Sequence, residues 1–246
     1  MSALVSQSRA EVTMTLRRGE SLLLTVGIPV LLLVFFSSVA VVSVGASRRV
    51  DFVTPGILSL CVMSTAMVSL GIATGFERGY GVLKRLFVTP LGRGRLLAAK
   101  VAGVLAILVV QFVVVCGVAA VIGWRPNTGA LPAACAAVCV VLAAIGFGAI
   151  GLGLAGSLRP EANLAAANGL YLVLLLTSGM IVPFAKLPAG VATIARLLPS
   201  GALTVAMRDT LQHCEVPSAG TFLVLALWAV GASVLASATF RFDPPR

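Results

Sequence analysis

Six stretches of this chain contain no charged residue and no histidine, and each is longer than the roughly 20 residues that an α-helix needs to cross a bilayer core. They are residues 21–47, 52–76, 101–124, 126–158, 162–185 and 216–240. Only 11% of the residues are charged, whereas a soluble domain carries about a quarter. The stretches also lack the alternation of barrel strands, and an open sheet in lipid leaves backbone groups without hydrogen bonds. The pattern therefore predicts an all-α integral membrane protein with six transmembrane helices.

The six helices form one predicted transmembrane domain over residues 1–246. We expect the spans at about 22–45, 54–76, 100–123, 132–157, 163–182 and 217–240. Ahead of the first span, Val5, Val12 and Leu16 recur at near-helical spacing among charged residues. This spacing predicts an amphipathic helix that lies in the membrane interface.

Proline interrupts the segment between the fifth and sixth predicted spans. Pro183, Pro188 and Pro199 divide it into pieces too short to cross a bilayer. Between the last two prolines, Val191, Ile194 and two leucines recur at helical spacing. We therefore expect short interfacial or re-entrant helices here, on the outer side of the membrane.

The cations are distributed unevenly between the two sides of this topology. Of the 18 Lys and Arg residues, twelve fall on the side of the two termini and six on the other. The twelve are Arg9, Arg17, Arg18, the six cations within residues 78–100, Arg159, Arg241 and Arg246. The positive-inside rule places this side, with both termini, in the cytoplasm. We expect the protein to lie in the plasma membrane. The net charge of +10 is then a topology signal, and we expect no nucleic-acid partner.

The predicted spans carry no group that could power transport or catalyse a reaction. Coupling to protons or sodium usually needs an ionisable group deep in the membrane, and the six stretches contain none. Outside them, His213, Cys214 and Glu215 are sequence neighbours that do not converge easily on one metal, so we expect no metal site. No plausible catalytic acid pair stands out, apart from Asp209 and Glu215 on the outer side. No G-x-x-x-x-G-K-S/T loop occurs. We expect a chain that is not an enzyme and binds no cofactor, with its energy supplied by another subunit.

Four polar residues in or near the spans are candidates for a substrate path: Gln111, Asn168, Thr177 and Ser178. Polar side chains also join transmembrane helices through hydrogen bonds. That interpretation explains these residues as well as substrate contact does, so both stay open.

Residues 75–100, GFERGYGVLKRLFVTPLGRGRLLAAK, hold six cations and one acid between the second and third predicted spans. Tyr80, Leu83, Phe87 and Leu91 recur at i, i+3, i+7 and i+11, which predicts an apolar stripe on a short helix. A Thr-Pro pair near its end disfavours the α conformation and ends that helix. The segment is thus predicted to be a rigid cytoplasmic hairpin that can carry a push from a partner into two membrane helices.

This segment resembles the cytoplasmic loop of the ATP-binding-cassette type-2 permease family, which contains Glu-Arg, a glycine, an aliphatic pair, Leu-x-x-Thr-Pro, a basic turn and a lysine. The matching residues are Glu77, Arg78, Gly81, Val82, Leu83, Leu86, Thr89, Pro90, Arg93 and Lys100. A second match lies between the fifth and sixth spans, where the family shows Ser-Gly, a proline, Leu-Pro, an amphipathic helix, a further proline and Ala-x-Arg. The residues in these roles are Ser178, Gly179, Pro183, Leu187, Pro188, Pro199, Ala206 and Arg208. The chain departs from the family at Gly79 and Lys84, where acids are frequent.

The resemblance implies that the loop is a coupling helix seated in a groove of a separate ATPase subunit, which acts as a dimer and binds ATP and Mg. The residues implied in coupling are Glu77, Arg78, Gly81, Leu83, Leu86, Thr89 and Pro90. An outer gate region is implied at Pro183, Pro188, Pro199 and Arg208. A second permease chain, identical or not, would complete the membrane domain, because six helices are half of the usual number.

Within the family, the chain resembles the daunorubicin-resistance type of drug and antibiotic exporter, which implies efflux of hydrophobic or amphipathic compounds. Export of a lipid or glycan by the same mechanism stays open, because nothing in the spans identifies the cargo. Two further functions stay open as well, a membrane scaffold without transport activity and a proton-coupled carrier.

Overall fold

The computed structural model describes residues 19–39, 48–82 and 92–240. Its helices are α1 (Gly19–Ser38), α2 (Arg49–Gly79), α3 (Gly92–Val121), α4 (Ala130–Ser157), α5 (Pro160–Thr177), α6 (Ala189–Leu197), α7 (Pro199–Leu211) and α8 (Ala219–Thr239), with a 3₁₀ helix at Phe184–Lys186. No strand occurs within these ranges, which confirms the predicted all-α fold. The predicted amphipathic helix before residue 19, and residues 83–91 of the predicted coupling helix, lie outside the described residues.

Four of the described helices are long and apolar enough to cross a membrane unaided. They are α2, α3 over Lys100–Val121, α4 and α8. The pair formed by α6 and α7, bent by 84° at its break, is a fifth candidate if it counts as one broken span. In α1 the apolar helix Thr25–Ser38 is shorter, and the 18 residues of α5 include an acid and two asparagines. The membrane fold is confirmed, and the count of six spans stays a prediction.

Helix α2 lies at the centre of the helix bundle. Of its most apolar 18 residues, 72% are buried inside the chain, against 17% for α8. Helix α8 instead exposes large aliphatic side chains such as Leu223, Leu227 and Val230, as expected for a helix whose outer face lies in lipid. The interior of the protein is therefore built around α2.

Glycine brings α2 and α4 into backbone contact. A Cβ atom added to Gly71 of α2 would lie 3.0 Å from the backbone of Gly151 in α4, and one added to Gly151 would meet the carbonyl oxygen of Met67. Small residues at such crossings let membrane helices approach closely, where van der Waals packing is strongest. The glycines of α4 thus serve tight packing against its neighbours.

The prolines between α5 and α8 stand at helix starts. Pro183 precedes the 3₁₀ helix, Pro188 precedes α6, and Pro199 is the first residue of α7. Proline suits these positions because its fixed φ favours helix entry and its missing N–H would have no partner in the first turn. The short helices predicted for this segment are therefore present.

Side-chain contacts group the connections at two ends of the bundle. At one end, Nη1 of Arg48 donates a hydrogen bond of 2.7 Å to the carbonyl oxygen of Gly123, and Nδ2 of Asn127 donates one of 3.2 Å to that of Gln212. At the other end, α2 meets the start of α3 and the end of α4. This grouping agrees with the sides assigned from the cations, while the end that faces the cytoplasm stays a prediction.

Candidate functional site

An ion pair joins the end of α2 to α3 on either side of residues 83–91. Nζ of Lys100 lies 2.7 Å from Oε2 of Glu77. The lysine side chain is 2% exposed and that of the glutamate 33%. Because a buried ammonium group needs a compensating charge, the two side chains hold the two helices together. The ion pair therefore links the two helices that flank residues 83–91 in the sequence.

Arg78 links the same end of α2 to the end of α4. The side chain is 2% exposed. Its Nη1 donates to the carbonyl oxygen of Gly156, and its Nη2 donates to that of Leu158 at 2.6 Å. The last carbonyls of a helix lack partners within the helix, and a cation there interacts favourably with the helix dipole. Arg78 thus fixes the α2 terminus against α4.

Two glycines shape the exit from α2. Gly81 has a φ of 71°, in the left-handed region where helices commonly end on glycine. A Cβ atom at Gly79 would lie 2.6 Å from Cγ of Pro160 at the start of α5. Packing therefore explains the first departure from the family pattern, because an acid at position 79 would collide with Pro160.

Three of the seven predicted coupling residues, Glu77, Arg78 and Gly81, lie at or just after the end of α2. The other four, Leu83, Leu86, Thr89 and Pro90, lie outside the described residues. We call the contacts of Glu77, Arg78 and Lys100 the inner junction. From the sequence, Glu77 and Arg78 were predicted to contact a partner subunit. The ion pair of Glu77 with Lys100 and the hydrogen bonds of Arg78 to the end of α4 were not predicted. Their role in coupling stays a prediction.

Arg208 of α7 holds the outer region together. Its Cζ atom lies 3.8 Å from the centroid of the Phe52 ring in α2, a cation–π contact. Its Nη2 donates a hydrogen bond of 2.6 Å to the carbonyl oxygen of Gly179, just after α5. A Cβ atom at Gly56 of α2 would collide with the carbonyl oxygen of Met180. The α5–α6 connection therefore packs directly on α2 and is clamped there by Arg208, while a gating role for this region stays a prediction.

Gln111 lies in a buried polar network of α1, α2 and α3. Its Oε1 accepts a hydrogen bond of 2.9 Å from the hydroxyl of Thr65, and its Nε2 donates one of 2.8 Å to the carbonyl oxygen of Thr25. Thr65 belongs to a π-helical turn, Ser64–Ser69, within α2. The side chain of Gln111 is fully buried. Substrate contact and hydrogen bonding between helices were both left open for Gln111. Its hydrogen bonds to α1 and α2 favour the second interpretation.

The other predicted substrate-path residues do not cluster with Gln111. Asn168 and Thr177 of α5 donate hydrogen bonds to carbonyl oxygens one turn back in their own helix. The buried hydroxyl of Ser178 donates to Leu175 and accepts from the N–H of Met180. Within the described ranges no hydrogen bond joins these three to Gln111. A common substrate path through all four stays a prediction.

Asn163 forms a buried contact and is not one of the predicted substrate-path residues. Its Nδ2 donates a hydrogen bond of 2.9 Å to the carbonyl oxygen of Gly71. A Cβ atom at Gly75 would lie 2.5 Å from the same nitrogen. The start of α5 therefore packs against α2 where glycine leaves room for the amide. The only sequence signal was a polar residue at the start of the fifth predicted span.

A cavity of about 500 Å³ opens between α6, α7 and α8. Apolar side chains of all three helices line it, together with Arg196, Arg208, Asp209 and His213. Nothing in the sequence indicated this cavity, because its lining residues come from three separate helices. In the described part of the chain no group of three or more His, Cys, Asp or Glu residues could hold a metal.

The apolar helices and their packing define a multi-pass helical membrane protein. The chain belongs to the ABC-2 type transporter family, whose model matches residues 4–211. This match confirms the resemblance drawn from the two sequence motifs and makes the chain the permease part of an ABC transporter. A search of curated proteins finds no match to it.

Proposed function

We propose that this chain is the membrane subunit of an ATP-driven exporter that moves hydrophobic or amphipathic compounds, such as drugs or antibiotics, out of the cell. The observation that carries the proposal is the inner junction, in which charged side chains connect the end of α2 to α3 and to the end of α4. A membrane subunit without its own motor needs such a connection to receive a push. The family assignment supplies the matching partner class, an ABC ATPase.

In the proposed mechanism an ATPase subunit presses on residues 83–91 from the cytoplasm. The ion pair between Glu77 and Lys100 makes the end of α2 and the start of α3 move together. Arg78 passes the displacement to the end of α4 through its hydrogen bond to Leu158. A local push would thus become a movement of three helices, as in rigid-body switching.

The partners follow from this division of labour. ATP and Mg would bind to a dimer of the ATPase subunit, and the permease would work with a second permease chain in the plasma membrane. Both termini would be cytoplasmic, which is supported by the twelve cations on that side of the predicted topology.

Transport into inverted vesicles tests the proposal. The chain would be expressed with an ABC ATPase from a neighbouring reading frame, and uptake of a fluorescent amphiphile would be followed with ATP. We expect uptake that stops when the ATPase carries an inactivating substitution in its phosphate-binding loop. Uptake that instead stops when the pH gradient is dissipated, with ATP maintained, would support a proton-coupled carrier.

Two further results would favour a different function or a different cargo. Failure of any ABC ATPase to purify with the chain, combined with absence of ATP-dependent uptake, would support a membrane scaffold. Movement of a labelled lipid or glycan, without movement of the amphiphile, would keep the mechanism and change the cargo.

A further inference from the structure

The cavity between α6, α7 and α8 has apolar walls and a charged rim. Its apolar lining includes Phe184, Leu197, Val205 and Val224. A volume of about 500 Å³ is in the range of small-ligand pockets, which combine apolar walls with a few polar groups. The size and the lining suit part of an amphiphile.

Asp209 contributes a carboxylate to this cavity. It is partly buried, and within the described ranges no side chain or N–H binds its carboxylate oxygens. A carboxylate that is partly removed from water is stabilised by a nearby cation or hydrogen-bond donor. A ligand with an ammonium group supplies both.

Arg196 contributes a cation that is available to a ligand. Its guanidinium lies 5.5 Å from the ring centroid of Phe184, and in the described part of the chain it forms no ion pair with an acid. Arg208 differs, because its guanidinium already binds the carbonyl oxygen of Gly179 and the Phe52 ring. The cavity therefore presents a cation, Arg196, and an anion, Asp209, that are not paired with each other.

Apolar side chains continue from the cavity onto the surface of α6 and α8. Ile194 lies one turn from the lining residue Leu197, and Leu227 lies one turn from Val224; both Ile194 and Leu227 are exposed. The indole N–H of Trp228 donates a hydrogen bond of 2.9 Å to the carbonyl oxygen of Leu197, which holds α8 against α6. An acyl chain can lie along this surface while its head group enters the cavity.

We propose that the cavity binds a phospholipid with a zwitterionic head group of the phosphoethanolamine type. The ammonium group contacts Asp209, the phosphate contacts Arg196, and an acyl chain follows the exposed side chains of α6 and α8. Guanidinium groups suit phosphate because their N–H donors match its oxygens. This inference does not depend on ATP-driven export.

Lipid binding to the purified full chain tests the proposal. The chain in detergent is titrated with lysophosphatidylethanolamine, with lysophosphatidylglycerol, and with phosphoethanolamine that has no acyl chain, and bound ligand is counted by native mass spectrometry. We expect lysophosphatidylethanolamine to bind most tightly. Asp209→Asn and Arg196→Gln should each weaken its binding about tenfold, equivalent to about 1.4 kcal/mol. Arg125→Gln is the control, because this exposed arginine does not line the cavity.

Three results would overturn the proposal. Equal binding of the two lipids to the unsubstituted chain would remove the zwitterionic preference, and this measurement needs no variant to fold. Tighter lysophosphatidylglycerol binding that is lost only in Arg196→Gln would make the site an anion site. Binding of phosphoethanolamine as tight as that of the lipid would make the ligand a small soluble zwitterion.

Discussion

Gln111 of α3 donates a hydrogen bond of 2.8 Å to the carbonyl oxygen of Thr25 in α1. In an uninterrupted α-helix that carbonyl binds the N–H four residues later, and residue 29 is a proline without an N–H. A side chain of one membrane helix therefore replaces the donor that proline removes from another. The same amide accepts from Thr65 in the π-helical turn of α2, so three helices meet at one side chain.

Replacing Gln111 with methionine should lower the free energy of unfolding by about 1–3 kcal/mol, because it removes this partner from a partly buried carbonyl and a buried hydroxyl. Unfolding in mixed micelles of increasing SDS content measures the change. Asn168→Leu is the matched control, since that amide is exposed and bonds only within its own helix, and its effect should stay within about 0.5 kcal/mol.

Pro29→Ala should reduce the effect of Gln111→Met. Alanine restores an N–H that can bind the Thr25 carbonyl oxygen within α1, so the amide of Gln111 is needed less. A double-mutant cycle with the same unfolding assay gives the coupling energy. Strictly additive effects would show that the proline and the glutamine are not linked.

Gly151→Ala should lower the free energy of unfolding by about 1–3 kcal/mol, because the added methyl group meets the backbone of α2 at Met67. Gly231→Ala in α8 is the matched control, because nothing lies within 4 Å of its Cβ position. That change should stabilise the helix by about 0.5–1 kcal/mol. Both variants add one methyl group to a glycine within a helix, and they differ in the space available for that group. Similar effects on stability would therefore contradict the close α2–α4 contact.

Arg78→Met should release the end of α4, at a cost of about 1.5–3 kcal/mol for the lost charged hydrogen bonds. Hydrogen exchange of the amides near residues 156–158 should become faster, while the distant end of α4 should be little changed. Arg49→Met provides the control, because that arginine is exposed at the start of α2. Unchanged exchange near residue 156 would show that Arg78 does not hold this helix end.

Lys100→Met should lower transport per ATP hydrolysed in the assembled transporter, because α2 and α3 lose their connection at the inner junction. The charge exchange Glu77→Lys with Lys100→Glu should recover part of the loss. Glu161→Gln serves as control, since this exposed acid lies in the first turn of α5. Measured together, ATP hydrolysis and amphiphile uptake separate a loss of coupling from a loss of assembly. Full coupling in Lys100→Met would remove the ion pair from the proposed mechanism.

Much of the fold could be predicted because the relevant signals are local. A helix in lipid must satisfy its backbone within itself and present apolar side chains over its whole length, so charge-free stretches mark helices without knowledge of their neighbours. The prolines that begin α6 and α7 are equally local, since they act on the residues beside them. The two motifs that indicated the family, one around Glu77 and one between α5 and α8, are also read directly from the sequence.

The contacts of the site could not be predicted in the same way. Pro29 and Gln111 were both visible in the sequence, but nothing local shows that the amide of one helix reaches the carbonyl freed in the other. Gly79 departs from the family pattern, and the sequence does not show the reason, which is the ring of Pro160 packed against it.

The sequence by itself determined that the chain is an all-α membrane protein, because bilayer burial and backbone hydrogen bonding act on each segment separately, and its two motifs indicated the ABC-2 family by resemblance. Only the tertiary structure decided that Glu77 meets Lys100, that Arg78 binds the end of α4, and that α6, α7 and α8 together form a charged cavity. Those contacts depend on how each helix is rotated and how far it is shifted against its neighbours. Rotation and shift are set by the packing of many side chains together.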